Sequence, residues 1–329
     1  MGRVKAALAG TAAAFAILAG SVAAHGAAAP ADPPSWAYPG NPPPAAGSPK
    51  PPPPSLAPYT VPGSTLMFSR AEQTLFNPPD WHPQDHPPMP PIVAHGRPPA
   101  VNACGYCHLP SGQGRSENTT LSGLPVGYFI QQMADFKSGA RVSSLPHRAP
   151  FENMVANART ISDEEVAQAA AYFAAIRPRQ NLKVIETDAA PRTVQKSWIL
   201  ALVPGGGREP IGNRLIETPA DLERFEKRDG RVPVLVYAPR GSVARGRAIA
   251  TGRSGRAEVD CAQCHGADFE GVGDIPGLKG RLPTGLLRQL HDFRTRARNG
   301  PNAAPMQAVA EHLSPEDMVS VTAYLATLK

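Results

Sequence analysis

The pattern Cys-x-x-Cys-His occurs twice, as Cys104-Gly-Tyr-Cys107-His108 and Cys261-Ala-Gln-Cys264-His265, and uses all four cysteines. Two cysteines three apart on one helical turn point the same way, so both thiols can reach the vinyl groups of one porphyrin. The histidine that follows is brought under the ring, where an imidazole nitrogen can bind iron from one side. This is the attachment pattern of a c-type haem, and two copies predict two covalently bound haem c groups. Other chemistries fit less well. A four-cysteine zinc site usually holds its pairs roughly 15–20 residues apart. Here they lie 157 apart, and zinc gives no reason for a histidine after each pair. Short disulfides or thioredoxin-like redox pairs are the other readings, but no βαβ pattern surrounds either motif.

A haem held by one histidine keeps its other axial position open unless a second residue closes it. That choice separates an electron carrier from an enzyme. A thioether sulfur is soft and favours Fe(II), so a methionine ligand raises the reduction potential. Met154 and Met306 lie 46 and 41 residues after the motif histidines, in matching places. Both are expected in loops just before the last helix of each copy, folding over the ring as iron ligands. Met133 and Met318 align with apolar helix positions and read as core filler. His147 rivals Met154 but reads better as a surface-loop histidine. His291 and His312 have no counterpart in the other copy and read as ordinary helix or loop residues. No nucleophile–base constellation accompanies the motifs, so no catalytic residue is assigned.

The elements that must position these residues form an internal repeat. Gln132, Asp135, Phe136 and Arg141 match Gln289, Asp292, Phe293 and Arg298 at the offset that relates the two motifs. After five extra residues in the first copy, Ile161-Ser162 matches Leu313-Ser314 and Ala171-Tyr172 matches Ala323-Tyr324. One unit used twice, over about 90–180 and 240–329, accounts for this order. Ser162 with Glu165 forms a capping box that opens a helix whose apolar face carries Val166, Ala169, Ala170, Phe173 and Ile176. Ser314, Pro315 and Asp317 open its counterpart, with Met318, Val321, Leu325 and Leu328 on the buried stripe. An earlier helix carries Phe129, Met133 and Phe136, or Leu286, Leu290 and Phe293. Residues 243–251 predict a leading helix in the second copy. In the first copy Pro98 and Pro99 shorten it, and 69–76 is the expected substitute. Between the copies, 197–203 and 232–237 read as short strands, and Thr218-Pro219 as the start of a charged helix to about Arg228.

Arg3 and Lys5 followed by an apolar stretch to Ala24, with small residues at Val22 and Ala24, read as an export signal. The alternative is a retained anchor, the only route to a membrane. Thioether-bound haem fits an oxidising compartment, so a periplasmic location is expected. The chain has formal net charge +6, or +4 once Arg3 and Lys5 are removed, and no basic block, so nucleic acid is not implied. Residues 30–62 hold 14 of the 39 prolines and read as an extended spacer. His82, His86 and His95 in the proline-rich 78–99 stretch read as loop histidines rather than a metal site.

With both motifs, both methionines and both capped final helices in view, the chain resembles class I c-type cytochromes, in the tandem two-domain dihaem form. The resemblance covers a little over half of the chain. It implies an all-α fold: two cytochrome c-like helical haem domains with a small β-containing insert between them. The expected layout is a signal peptide over 1–24, a Pro-rich spacer over 25–66, domain 1 over 67–180, the insert over 181–240 and domain 2 over 241–329. It implies covalent attachment at Cys104, Cys107, Cys261 and Cys264, with His108, Met154, His265 and Met306 as axial ligands. The function implied is single-electron transfer between periplasmic redox partners of a respiratory chain, a dehydrogenase or an oxidase. The alternatives are a cytochrome subunit of a periplasmic dehydrogenase, with 181–240 as the docking surface, and a peroxidase-like dihaem enzyme with one open iron.

Overall fold

The computed structural model describes residues 1–2, 33–43, 45–178, 181–256 and 258–329. Residues 3–24 of the expected export signal lie outside the described residues. The first repeat is preceded by a short antiparallel pair, β1 (Pro58–Tyr59) and β2 (Phe68–Ser69). A single helical turn, α1 (Pro91–Ala94), buries Ile92 and Val93 beneath the first motif, which itself forms α2 (Cys104–His108). α3 (Val126–Ser138) ends at Gly139, whose φ of 80° is the left-handed stop that glycine adopts without strain. α4 (Ala149–Thr160) has Pro150 in its first turn. α5 (Asp163–Ala174) starts with the reciprocal Ser162–Glu165 capping box. Phe129, Met133, Phe136, Val166 and Phe173 close one core with Ile92 and Val93. Residues 69–76 close β2 and continue in turns, not the substitute helix expected there; α1 takes the place against α2 and α5.

The middle segment overturns the all-α expectation. Of the described residues 34% are helix and 15% strand, a mixed α/β structure with several small sheets. β3 (Leu182–Glu186) leads to β4 (Ala189–Pro191), β5 (Thr193–Lys196), β6 (Ile199–Leu202), β7 (Arg208–Pro210) and β8 (Ile216–Pro219). α6 (Leu222–Glu226) and β9 (Val234–Ala238) follow. β9 is central in the order β3-β9-β8, parallel to β3 with Val184 opposite Val236, and antiparallel to β8 with Glu217 opposite Val236. Its run Val-Leu-Val-Tyr is what a strand covered on both faces requires. Thr218-Pro219 ends β8 rather than opening a helix; α6 starts three residues later, where the Asp221 side chain accepts from Arg224 N. β4 pairs with β7, and β5 with β6.

The second repeat begins with α7 (Ser242–Ala250), then α8 (Cys261–His265), the hairpin β10 (Gly271–Val272) and β11 (Ile275–Pro276), α9 (Pro283–Arg294), α10 (Ala304–Glu311) and α11 (Pro315–Leu325). α7 crosses α11 at Gly246, where a Cβ would stand 1.9 Å from Ser320 O; only glycine allows that approach. Val234, Val236 and Ala238 of β9 share one core with Ile249, Val321 and Leu325. The Glu217 carboxylate of β8 accepts from Thr284 N (2.9 Å) and Thr284 Oγ1 (2.6 Å) at the start of α9.

The residues that matched between the copies meet in space. Gln132 Oε1 accepts from both Arg141 and Arg298, and Gln289 Oε1 accepts from the same two guanidiniums. Each arginine also lies over the matching phenylalanine of its own copy, Phe136 or Phe293. Backbone bonds Val142 N to Ala297 O and Asn299 N to Ala140 O, both 2.7 Å, join the two segments. The repeated sequence is thus the contact between repeats. Within the proline-rich stretch, Ala37 and Tyr38 are buried in the second core, where Arg288 donates to Ala37 O. Residues 45–58 are exposed. Among the described residues no helix is long and apolar enough to cross a membrane.

Candidate functional site

Each motif forms one helical turn. α2 is held against α1, and α8 is capped at Asp260, whose side chain accepts from Gln263 N. The two histidines are used alike. His108 Nδ1 donates to Thr119 O at 2.8 Å, and His265 Nδ1 donates to Pro276 O at 2.7 Å. Both acceptors stand 11 residues after their histidine. A carbonyl on Nδ1 fixes the tautomer and leaves the Nε2 lone pair for a metal. Burial lowers the pKa of both imidazoles, holding them neutral, the form that binds iron. Thr119 and Pro276 were missed at the sequence level. The signal was present as an equal spacing, but unlike residue types hide a role carried by the backbone.

The first thiol of each motif sits in apolar surroundings. Cys104 packs against the first core and Cys261 against the second. Burial pushes the Cys104 thiol up to about 12 and the Cys261 thiol up to about 11, and raises Cys107 as well. None of the four cysteines is in a disulfide. The residue after each motif has positive φ: Gly266 at 83° and Leu109 at 65°, with ψ near 150° in both. Glycine takes this conformation freely and leucine pays strain. Leu109 is buried at the 230 turn of the middle segment, where a Cβ on Gly230 would lie 3.3 Å from Leu109 Cδ1.

The two motifs differ in cover. Arg228 lies 3.5 Å above the Tyr106 ring and donates to Tyr106 O, while Arg115 lies over Phe225 and donates to its carbonyl at 2.7 Å. The α6 turn therefore roofs the first motif. Cys264 of the second motif is exposed. Met154 and Met306 are both half-buried, but they stand in helices rather than in loops, Met154 in the second turn of α4 and Met306 in the first turn of α10. Met154 packs on the first core; Met306 packs on Phe293, Ala303 and Ala310. Prolines Pro150 and Pro305, tolerated in a first helical turn, let both segments coil. His147 points to solvent and pairs with Glu152 at 3.4 Å. His82 and His86 are engaged by Asp229 and Asp80.

The residues fit a haem in each unit. Beyond the thiols and the free Nε2 atoms, the buried Arg148 has Nε and Nη2 without a hydrogen-bond partner, while its Nη1 donates to Glu117 O beside the Thr119 loop. Burial drives its pKa down to about 9. A buried cation with open donors calls for an anionic group, such as the carboxylates of a haem.

Residues 243–329 match the family model described as cytochrome c. The chain is 38% identical over 68 residues to cytochrome c-554(548) of Halomonas halodenitrificans, spanning 20% of this chain and 82% of that protein. It is 39% identical over 237 residues to a thiosulfate dehydrogenase electron acceptor of Stutzerimonas stutzeri, spanning 71% of this chain and 82% of that protein. Among solved structures, a thiosulfate dehydrogenase from Marichromatium purpuratum aligns at 25% identity and a TM-score of 0.49. That alignment covers 72% of this chain but only 39% of the other. Covalently bound haem c, electron transfer and a redox partner protein come with the family. The chain belongs to the cytochrome c family, as an electron-transfer cytochrome of class I.

Proposed function

We propose that the chain is a dihaem electron carrier of the periplasm, exported by its N-terminal signal, that passes single electrons between partners of a respiratory chain. Cys104 and Cys107 hold one haem by thioether bonds, and Cys261 and Cys264 hold the other. His108 and His265 would bind the irons through Nε2, with Met154 and Met306 as the second protein ligands. Bound haem supplies an Fe(III)/Fe(II) couple that takes up and gives one electron. The polypeptide fixes the imidazoles through Thr119 and Pro276, keeps water from the first site with the α6 turn, and leaves the second site open at Cys264 for exchange with partners. The observation that carries the reading is the twin histidine–carbonyl geometry at one spacing. The donor we favour is a dehydrogenase, because a relative sharing 39% identity over most of its length is named as the electron acceptor of one.

Replacing the second iron's methionine tests the ligand set. Met306→Ala should lower the potential of one haem, because a soft ligand that favours Fe(II) is lost, and should let the reduced protein bind carbon monoxide there. An unchanged redox titration would remove Met306 from the iron. Fast carbon monoxide binding to the unaltered protein would instead favour an open-iron enzyme.

A further inference from the structure

One side chain touches the loops that hold both histidines. Arg281 is buried, 6% exposed, and its Nε donates to Gly277 O, the carbonyl next to the Pro276 acceptor of His265. Its Nη1 donates to Thr120 O at 3.2 Å, the carbonyl next to the Thr119 acceptor of His108, and lies 3.5 Å from Ser122 O. The guanidinium therefore bridges two proximal loops from opposite repeats. The offset of 157 between the motifs puts Leu124 at the matching place in the first copy, so the repeat supplies one such cation, not two. Duplication alone would not place it; the contact exists only where the two copies meet.

We infer that Arg281 is a positioning residue shared by both haem sites, setting the hydrogen bonds of His108 and His265 together and biasing both irons towards the reduced state. The inference rests on the two-haem reading above. Its physical basis is twofold. A charge-assisted hydrogen bond to the neighbouring carbonyl stiffens each acceptor loop. A cation enclosed near both sites, in surroundings that screen it weakly, disfavours the extra positive charge of Fe(III). Each iron's oxidation therefore works against the same guanidinium.

The test uses the matured holoprotein with Arg281→Gln and Arg281→Lys. Intact mass first counts the haems, and spectroelectrochemical titration then follows both midpoints. In Arg281→Gln both midpoints should fall. In Arg281→Lys the charge is kept, so both midpoints should stay nearer the unaltered values. A lysine cannot span both loops, however, so the Nδ1 protons of His108 and His265 should each exchange roughly tenfold faster or more. Should Arg281→Gln fail to load or fold, the Arg281→Lys exchange decides. Two haems with only one midpoint moving, or exchange faster at only one histidine, would overturn the shared role alone. A single haem per chain would overturn the two-haem reading and this inference with it.

Discussion

Asp317 shows how one side chain can secure a unit. Burial opposes its charge, but hydrogen bonds from Arg256, Ser314 and Arg245 outweigh that and hold its carboxyl near 2, below its ordinary 3.8. A depressed carboxylate pKa contributes stability at neutral pH, here about 2 kcal/mol. That contribution is full above the unfolded-state value near 4 and is lost as pH falls through about 2. Asp317→Asn should therefore lower unfolding free energy by about 2 kcal/mol at pH 7 and flatten the acid limb of the stability curve. Denaturant titrations across pH would check it, and an unchanged acid limb would contradict it. The Ser314–Asp317 cap was legible in the sequence because capping boxes are local. The Arg245 and Arg256 partners were not, because they approach from 72 and 61 residues away.

Elements carry the asymmetry between the copies. In the second unit a full helix, α7, crosses α11 at Gly246; in the first, α1 is a single turn. Gly246→Ala would drive a methyl into the Ser320 carbonyl and against Tyr324 Cβ, 2.9 Å away. The helices would have to part, at a cost of at least about 2 kcal/mol. Guanidinium unfolding would measure it, and a neutral result would show that the crossing can relax. α3, α5, α7, α9 and α11 followed from apolar spacing and caps, whereas α4 and α10, expected as loops, did not. The middle sheet was only half legible. Strands at 199–202 and 234–238 show as β-branched runs, whereas β4, β7 and β8 are short and defined by partners far along the chain. Thr218-Pro219 illustrates the ambiguity: the same dipeptide can open a helix or end an edge strand, and its pairing with β9 decides.

At the scale of the molecule, residues Asp32–Lys329 form one compact unit, and the repeats join through Arg141, Arg298, Gln132 and Gln289. Arg141 is pushed down to about 10 by burial and by Arg298 beside it; Tyr128, Asp292 and Asp135 offset part of this, and the two glutamine oxygens accept from both guanidiniums. Gln132→Ala and Gln289→Ala should each loosen the junction, and the double variant should deviate from additivity by about 1 kcal/mol. A double-mutant cycle by denaturation would measure the coupling; strict additivity would mean that the ring of hydrogen bonds is not one unit. These four residues were visible as a repeat from the sequence, but their role was not, since periodicity reports descent and packing alike. The central claim is that two haems are fixed to one chain through Cys104, Cys107, Cys261 and Cys264. The intact mass of protein matured in a host that attaches haem c tests it most directly. The account predicts the processed polypeptide plus two haems, falling to one with Cys261→Ala and Cys264→Ala combined. The mass of the bare polypeptide, or of a single adduct in the unaltered protein, would contradict it.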